Sequence, residues 1–255
     1  MHVDSEDDVL RIAFDRPAAL NAMTKEIAVT LADTIEDASP AAYDAIVITG
    51  EGDAFSAGGD LESLSEQPET TREAYTEVEE SFGRVVEAML ECPVPIVAKV
   101  NGDAIGAGLS IVALADIAYA AADATFSCAF VRIGLIPDTG GTFMLPRIVG
   151  LRAAKKLAFT GEFFDAERAA DLDLLNEAVP ADELDDRVDE TLEQLRRRPT
   201  ETIGMMKGAM HENLGRHWSE ALDYENLVQV QARTSDDHAE GVAAFLEDRE
   251  PDFDT

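Results

Sequence analysis

Along the chain, apolar and polar positions fall into short segments of two periods. From Val9 to Phe14 the run VLRIAF alternates as a half-buried strand does and stops at the turn Asp15-Arg16-Pro17. Thr24 is placed to cap a helix that runs through Ala38, and Tyr43 to Thr49 (YDAIVIT) reads as a buried strand closed by Gly50-Glu51-Gly52. Thr71 to Glu91 has helical periodicity, and Pro95 to Val100 (PIVAKV) is a second buried strand. A helix from about Ala107 to Leu114 is expected to pack against short strands at Ile117 to Ala121 and Thr125 to Ser127. After Pro146 the pattern becomes helical: Leu151 to Phe159, Ala166 to Leu172, Leu184 to Arg197, Thr202 to Asn213, Trp218 to Arg233 and Ser235 to Asp248, punctuated by Gly161, Pro180 and Pro199. The prediction is an α/β core followed by a helical tail, with no internal repeat and no low-complexity linker. The acidic stretch Ser63 to Glu80 reads either as a mobile loop or as a solvated helix start.

Composition sharpens this picture. A chain of 255 residues, 46% of them hydrophobic, can bury roughly three quarters of its unfolded surface and needs no covalent staples. Cys92 and Cys128 lie in different segments, without C-x-x-C spacing, and read as reduced, buried thiols rather than a disulfide or zinc framework. No run approaches the roughly 20 apolar residues that span a bilayer, and MHVDSEDDVL is acidic where a signal peptide would be basic, so a cytoplasmic location is expected. Fifty-two acids against 20 bases give a net charge of -32. At molar salt the Debye length falls to about 3 Å, which would silence the repulsion among such carboxylates. The scattered acids therefore point to a halophilic source, the competing reading being an acidic protein that binds a basic partner. No basic stripe exists of the kind nucleic-acid binding needs.

Two glycine-rich turns follow buried strands: Phe55-Ser56-Ala57-Gly58-Gly59-Asp60, and Asn101-Gly102-Asp103-Ala104-Ile105-Gly106-Ala107-Gly108. Small residues allow a ligand to approach the backbone and expose N–H groups, and two donors from separate turns can converge on one oxygen. The second turn also opens a helix, whose free N–H groups favour a developing negative charge. Tight turns with no chemistry remain the alternative at this level. Neither turn spells a dinucleotide or P-loop fingerprint, which disfavours a nicotinamide oxidoreductase.

Five ordered segments carry a more specific signal: DRPAALNAM (Asp15 to Met23), GDAFSAGGDL (Gly52 to Leu61), PIVAKVNGDAIGAGLSIVALADIAYA (Pro95 to Ala120), FVRIGLIPDTGGTFMLPRIVG (Phe130 to Gly150) and FLEDREPDF (Phe245 to Phe253). Together they resemble the signature segments of the crotonase, or enoyl-CoA hydratase/isomerase, family, over residues 9 to 253. The resemblance implies a crotonase-like spiral of ββα turns over residues 1–195 and a C-terminal α-helical trimerisation region over 196–255. It implies homotrimers, often paired as hexamers, an acyl-CoA thioester substrate and no cofactor beyond the substrate's own coenzyme A. It assigns the oxyanion donors to the N–H groups of Gly59 and Ala107. Coenzyme A would lie along Ala19, Leu20, Ala57, Asp60 and Leu61, with Ile105, Phe130 and Leu135 near the acyl group. Many relatives place a lysine where this chain has Ala18; Arg16 is the substitute candidate. Asp248 likewise stands where relatives often have lysine.

The family's hydratases use two glutamates at positions that hold Ser110 and Phe130 here. A serine cannot act as a general base near neutral pH without a partner, and a phenylalanine cannot carry a proton at all. Asp138, in I-P-D-T-G-G, matches instead the aspartate of the phenylacetate-pathway epoxyphenylacetyl-CoA isomerases and some dienoyl-CoA isomerases. The expectation is an enoyl-CoA isomerase with Asp138 as its single acid/base. The alternatives are a hydratase working with Asp138 alone and a non-catalytic acyl-CoA binder. The competing role for Asp138 is a helix N-cap, which can coexist with the catalytic one, and Ser110 reads as a packed helix residue. No histidine falls near Ser110 in the pattern, and His211 and His217 lack the i, i+4 spacing of a helical metal site.

Overall fold

The computed structural model describes residues 1–65 and 68–253. Two sheets form the core. The larger one has six strands in the order β1 (His2–Glu6), β2 (Val9–Phe14), β3 (Ala45–Gly50), β5 (Ile96–Val100), β7 (Ile117–Ala121) and β10 (Glu177–Val179). All neighbours after the β1–β2 hairpin pair in parallel. The smaller sheet orders β4 (Ala54–Ser56), β6 (Asp103–Ile105), β8 (Thr125–Ser127) and β9 (Phe163–Asp165), parallel except for the last pair. The chain alternates between the sheets: β3 then β4, β5 then β6, β7 then β8. Each such pair is followed by helix, so three turns of one ββα unit stack as a spiral. The repeat is one of backbone and not of sequence, because each turn requires only an apolar strand, a tight corner and a helix.

Parallel strands covered on both faces read as continuous apolar runs, which is why AIVIT and IVAKV were legible. On one face Ile12, Ile46, Ile48, Ile96 and Ala98 pack under α1 (Lys25–Glu36), α4 (Arg84–Glu91) and α5 (Ala107–Leu114). On the other, Val9, Val47, Val97 and Tyr119 are covered by Val188 and Leu192 of α9 (Leu184–Arg196), where the Tyr119 hydroxyl meets Thr191 Oγ1 at 2.9 Å. Residues 107–114 are buried on every side, so α5 is the central helix of the spiral.

Several expectations need adjusting. The β3 strand begins two residues later than Tyr43, and the acidic N-terminus forms β1, whose residues are all exposed and so leave no apolar pattern. Asp7 and Asp8, both at positive φ, turn this hairpin as a type I′ corner does. The helix expected over Thr71 to Glu91 is α3 (Thr71–Val78), a π-helical segment at Glu79–Gly83, and α4. The stretch Ser63 to Glu80 begins at the end of α2 (Leu61–Ser65) and continues into α3; its residues 66 and 67 lie outside the described residues. Beyond β8 come a 3-10 turn (Ala129–Ile133), α6 (Gly141–Ile148), α7 (Leu151–Thr160), and α8 (Ala166–Asp171) between β9 and β10. The helical tail is α10 (Thr200–Asn213), α11 (Trp218–Arg233) and α12 (Asp236–Glu247). No described helix is long and apolar enough to cross a membrane, and both cysteines are free and buried.

Candidate active site

The first glycine turn leaves β4 and is held from behind by the DRPAALNAM segment. Asn21 is fully buried; its Nδ2 donates to the Glu51 and Ala54 carbonyls at 2.9 and 2.7 Å, and its Oδ1 accepts from the Arg16 N–H at 2.9 Å. Met23 then forms an isolated parallel bridge with Gly59: the Met23 N–H donates to the Gly58 carbonyl at 2.7 Å and the Asp60 N–H to the Met23 carbonyl at 2.8 Å. In a parallel bridge the intervening residue turns its own N–H to the opposite edge. The Gly59 N–H therefore points away from Met23.

What lies on that edge is the second turn. Gly58, at φ +89°, has no room for a side chain: a Cβ would sit 2.6 Å from the Ile105 carbonyl oxygen and 3.1 Å from the Ala107 nitrogen. Gly108 is as tight, a Cβ there falling 2.4 Å from the Ser56 carbonyl oxygen. The Gly106 N–H is used by Ser127, whereas Ala107 is the first residue of α5 and its N–H has no intrahelical acceptor. Among the described residues neither the Gly59 nor the Ala107 N–H finds an acceptor, and both line one cleft of about 280 Å³.

Asp138 enters the same cleft from the loop before α6. The N-cap of that helix is Gly140 (φ +75°), with no side-chain cap, so Asp138 does not serve as the N-cap. The main chain of Asp138 fastens the loop, its carbonyl accepting from the Gly141 N–H at 2.9 Å and from the Ser110 hydroxyl at 3.2 Å. Ser110 thus ties α5 to the loop that presents Asp138. The carboxylate itself accepts a hydrogen bond from the Thr139 hydroxyl at 3.1 Å and is approached by its own backbone amide. Burial against Phe130 and neighbouring apolar walls pushes its pKa above the ordinary aspartate value, a rise that the Thr139 bond partly offsets.

Two other carboxylates line the cleft, and each has a cation. Asp60 is paired with Arg16 at 2.8 Å and accepts from the N–H groups of Glu62 and Ser63; Arg16 above all, with the Ser63 amide, lowers its pKa. Glu77 of α3 is ion-paired with Lys25. Of the residues singled out in the sequence, Ala57, Gly59, Asp60, Leu61, Ile105, Ala107, Phe130, Leu135 and Asp138 line the cleft together. Arg16, Ala19 and Leu20 do not. The Arg16 guanidinium is engaged by Asp60 and by the Ala22 carbonyl at 2.7 Å, and Leu20 braces the first turn through its carbonyl, which accepts the Ala57 N–H at 2.8 Å. Sequence reasoning missed Lys25, Glu77, Ser81, Phe82 and Arg132 as wall residues. Only the packing of α1, α3, the π segment and the 3-10 turn around the glycine corners brings them in, and no local motif marks that. Among the described residues no cluster of three or more His, Cys, Asp or Glu side chains could hold a metal ion. His211 instead pairs its Nδ1 with the Leu90 carbonyl at 2.9 Å.

The sequence model of the enoyl-CoA hydratase/isomerase family matches residues 4–255. The chain belongs to that family. Relatives of this enoyl-CoA hydratase/isomerase family member cover nearly all of it. A protein of Rhodobacter capsulatus named probable enoyl-CoA hydratase is 37% identical over 95% of this chain and 93% of its own length. The 1,2-epoxyphenylacetyl-CoA isomerase of Escherichia coli is 33% identical over 97% and 95%. A crystal structure of enoyl-CoA hydratase from Mycobacterium smegmatis superposes with a TM-score of 0.91 at 30% identity, covering 100% of this chain and 98% of that one.

Proposed function

We propose that this family member is an enoyl-CoA isomerase in which Asp138 is the single acid/base. The observation that carries the reading is electrostatic. Of the carboxylates in the cleft, Asp60 and Glu77 are committed to cations, while Asp138 has none and is desolvated toward a working pKa. The thioester oxygen would sit between the Gly59 and Ala107 amides, which stabilise it as it becomes anionic. Asp138 would remove a proton from an acyl carbon, leaving a dienolate, and return the same proton to a carbon further along the conjugated system. The double bond moves and no atom is gained or lost. Phe130 and Leu135 would keep water from the intermediate. Coenzyme A would lie along Ala57, Asp60 and Leu61, with Ala19 and Leu20 behind; Arg16, already paired with Asp60, is the weakest of the proposed CoA contacts. No protein cofactor enters this chemistry.

The similarity to the Escherichia coli epoxyphenylacetyl-CoA isomerase extends the proposal to ring epoxide or oxepin acyl groups. The Rhodobacter capsulatus relative supports water addition by Asp138 alone as the second reading. Purified protein assayed in molar KCl with 3-enoyl-CoA and 2-enoyl-CoA separates them: double-bond migration without hydration supports the isomerase, and efficient hydration with no migration rejects it.

The assembly is a proposal of the same kind. Among the described residues α11 buries none, yet it carries Trp218, Leu222, Leu227 and Val230, each exposed by 47% or more. Trp218 and Leu222 fall on one side of the helix and Leu227 and Val230 on another, and large apolar side chains exposed on two sides call for a partner, which we assign to a homo-oligomer, a trimer or a hexamer. A cytoplasm of high salt completes the reading.

A further inference from the structure

The loop that presents Asp138 is closed by a β-turn. The Gly141 N–H donates to the Asp138 carbonyl at 2.9 Å, and the two residues between them, Thr139 and Gly140, stand at φ +50° and +75°. Positive φ at both central positions marks a type I′ turn, in which asparagine, aspartate and glycine are the favoured occupants. Threonine is not among them, because a side chain branched at Cβ crowds the backbone in the left-handed region. The other non-glycine residues at positive φ among those described are four aspartates, an asparagine and a leucine, so Thr139 is the one that is β-branched.

The surroundings hold this turn in place. It lies tight on α5: a Cβ at Gly140 would fall 3.0 Å from Leu114 Cδ2, and one at Gly141 2.9 Å from Ser110 Oγ. The Ser110 hydroxyl donates to the Asp138 carbonyl at 3.2 Å, and Thr139 itself is only 4% exposed. Strained residues persist where packing over-determines them, and they collect at active sites. Here the strained side chain has one visible task. Branching leaves few χ1 wells, burial fixes the direction of the hydroxyl, and it donates to Asp138 Oδ1 at 3.1 Å. Among the described residues no other side chain donates to that carboxylate.

Resting on the reading of Asp138 as the acid/base, we propose that Thr139 is its positioning residue: the hydroxyl pins Oδ1 and leaves Oδ2 to carry the proton. As a C–H bond of the acyl chain breaks, its electron pair enters the dienolate and Oδ2 takes the proton. Oδ2 then returns it to the further carbon as the new C–H bond forms. Oδ1 keeps its hydrogen bond through both steps, so the carboxyl plane does not rotate between them. The hydroxyl also favours the charged carboxyl, against the burial that disfavours it. The other charged groups of the cleft are engaged elsewhere: Lys25 with Glu77, Asp60 with Arg16, and Arg132 with the Gly161 carbonyl and the Phe163 ring. The α5 helix carries no titratable side chain, and Arg147 of α6 holds the Phe143 carbonyl and lies over its ring. Loss of the hydroxyl therefore raises the Asp138 pKa.

Thr139→Val keeps the branched shape and removes the hydroxyl. With a 3-enoyl-CoA in molar KCl its kcat should fall about tenfold or more with KM nearly unchanged, and the acid limb of kcat/KM should move to higher pH. Thr139→Ser, which restores the hydroxyl, should recover most of the rate and the parental limb. Thr139→Gly frees the turn of strain and takes the place of the valine variant if that one does not fold. With parental far-UV circular dichroism it should lose rate and shift the limb in the same sense. A purely structural role predicts the reverse, a glycine variant as active as the parent with its limb unmoved. Parental kcat or an unmoved acid limb in the hydroxyl-free variants, or a serine variant as poor as the valine one, overturns the assignment. Asp138→Asn, run beside them, separates the two levels. If it abolishes turnover while the hydroxyl-free variants behave as the parent, only the role of Thr139 falls; if it leaves turnover intact, the reading of Asp138 falls with it.

Discussion

Asp138 was the residue the sequence marked most clearly, because I-P-D-T-G-G stands in a recognisable segment, and the structure brings it to the same cleft as Gly59 and Ala107. Its proposed role makes linked predictions. Asp138→Asn should lower isomerase kcat by at least about 100-fold with KM nearly unchanged, the magnitude general acid–base catalysis typically supplies; steady-state kinetics on a 3-enoyl-CoA measures it. Asp138 must start deprotonated, so kcat/KM should rise with pH through a pKa above the ordinary aspartate value of 3.8. For an acid the raised folded pKa has a definite sign in stability: the folded state binds the proton more tightly than the unfolded state. Stability therefore falls as pH rises from the unfolded pKa through the folded one, and the loss persists at neutral pH. Asp138→Asn removes it, so the variant should be more stable than the parent at pH 7 and lose that advantage below the unfolded pKa. Denaturant midpoints at the two pH values decide this, and a variant less stable at pH 7 would contradict the desolvation argument. Asn21 was invisible in the sequence by contrast, since an asparagine in a loop carries no pattern until its three hydrogen-bond partners are seen. Buried and fully engaged, it should cost about 3 kcal/mol when replaced by alanine, because the carbonyls and amide it serves are left without partners; urea unfolding would show it.

At the scale of elements, legibility followed burial. Strands covered on both faces and amphipathic helices declared themselves, and α5, β7 and β8 fall where the pattern placed them. The elements that escaped were the strands β4 and β6, which read as part of the glycine-rich turns they lead into, and β1, exposed along its whole length. Those short strands nevertheless build the site, because each delivers a glycine corner to the cleft. Their spacing depends on absent side chains more than on present ones. Gly108 lets α5 settle against Ser56, and an added methyl, only 2.4 Å from that carbonyl, must push the second turn away from the first. The oxyanion geometry tolerates little such movement, since a donor displaced by about 1 Å loses most of its advantage in the transition state. Gly108→Ala should therefore lower kcat while the protein stays folded, and a ground-state acyl-CoA analogue should bind nearly as before. Calorimetric titration beside the kinetics separates the two, and a variant with parental kcat would show that the turns are not held in register by this contact.

At the scale of the molecule the same chain has two electrostatic characters. Inside the cleft a few charges are placed one by one, whereas over the surface carboxylates outnumber cations so far that no arrangement can pair them all: 52 acids face 20 bases. Carboxylates left over repel one another over a Debye length of about 10 Å at 0.1 M salt and about 3 Å at 1 M. The ion pairs that do exist, such as Arg84 with Asp33 and Glu36, are exposed and lose strength over the same range. These effects oppose each other, and the count decides between them, because repulsive pairs far outnumber attractive ones at a net charge of -32. The thermal midpoint should therefore rise steeply between about 0.1 and 1 M NaCl or KCl and flatten beyond, as screening approaches completion. Sulfate or an uncharged osmolyte would stabilise by exclusion from the surface instead, without that saturation. A midpoint that ignores chloride salts in this range would mean that the surface carboxylates do not govern stability, and would remove the physical ground for reading the composition as an adaptation to salt.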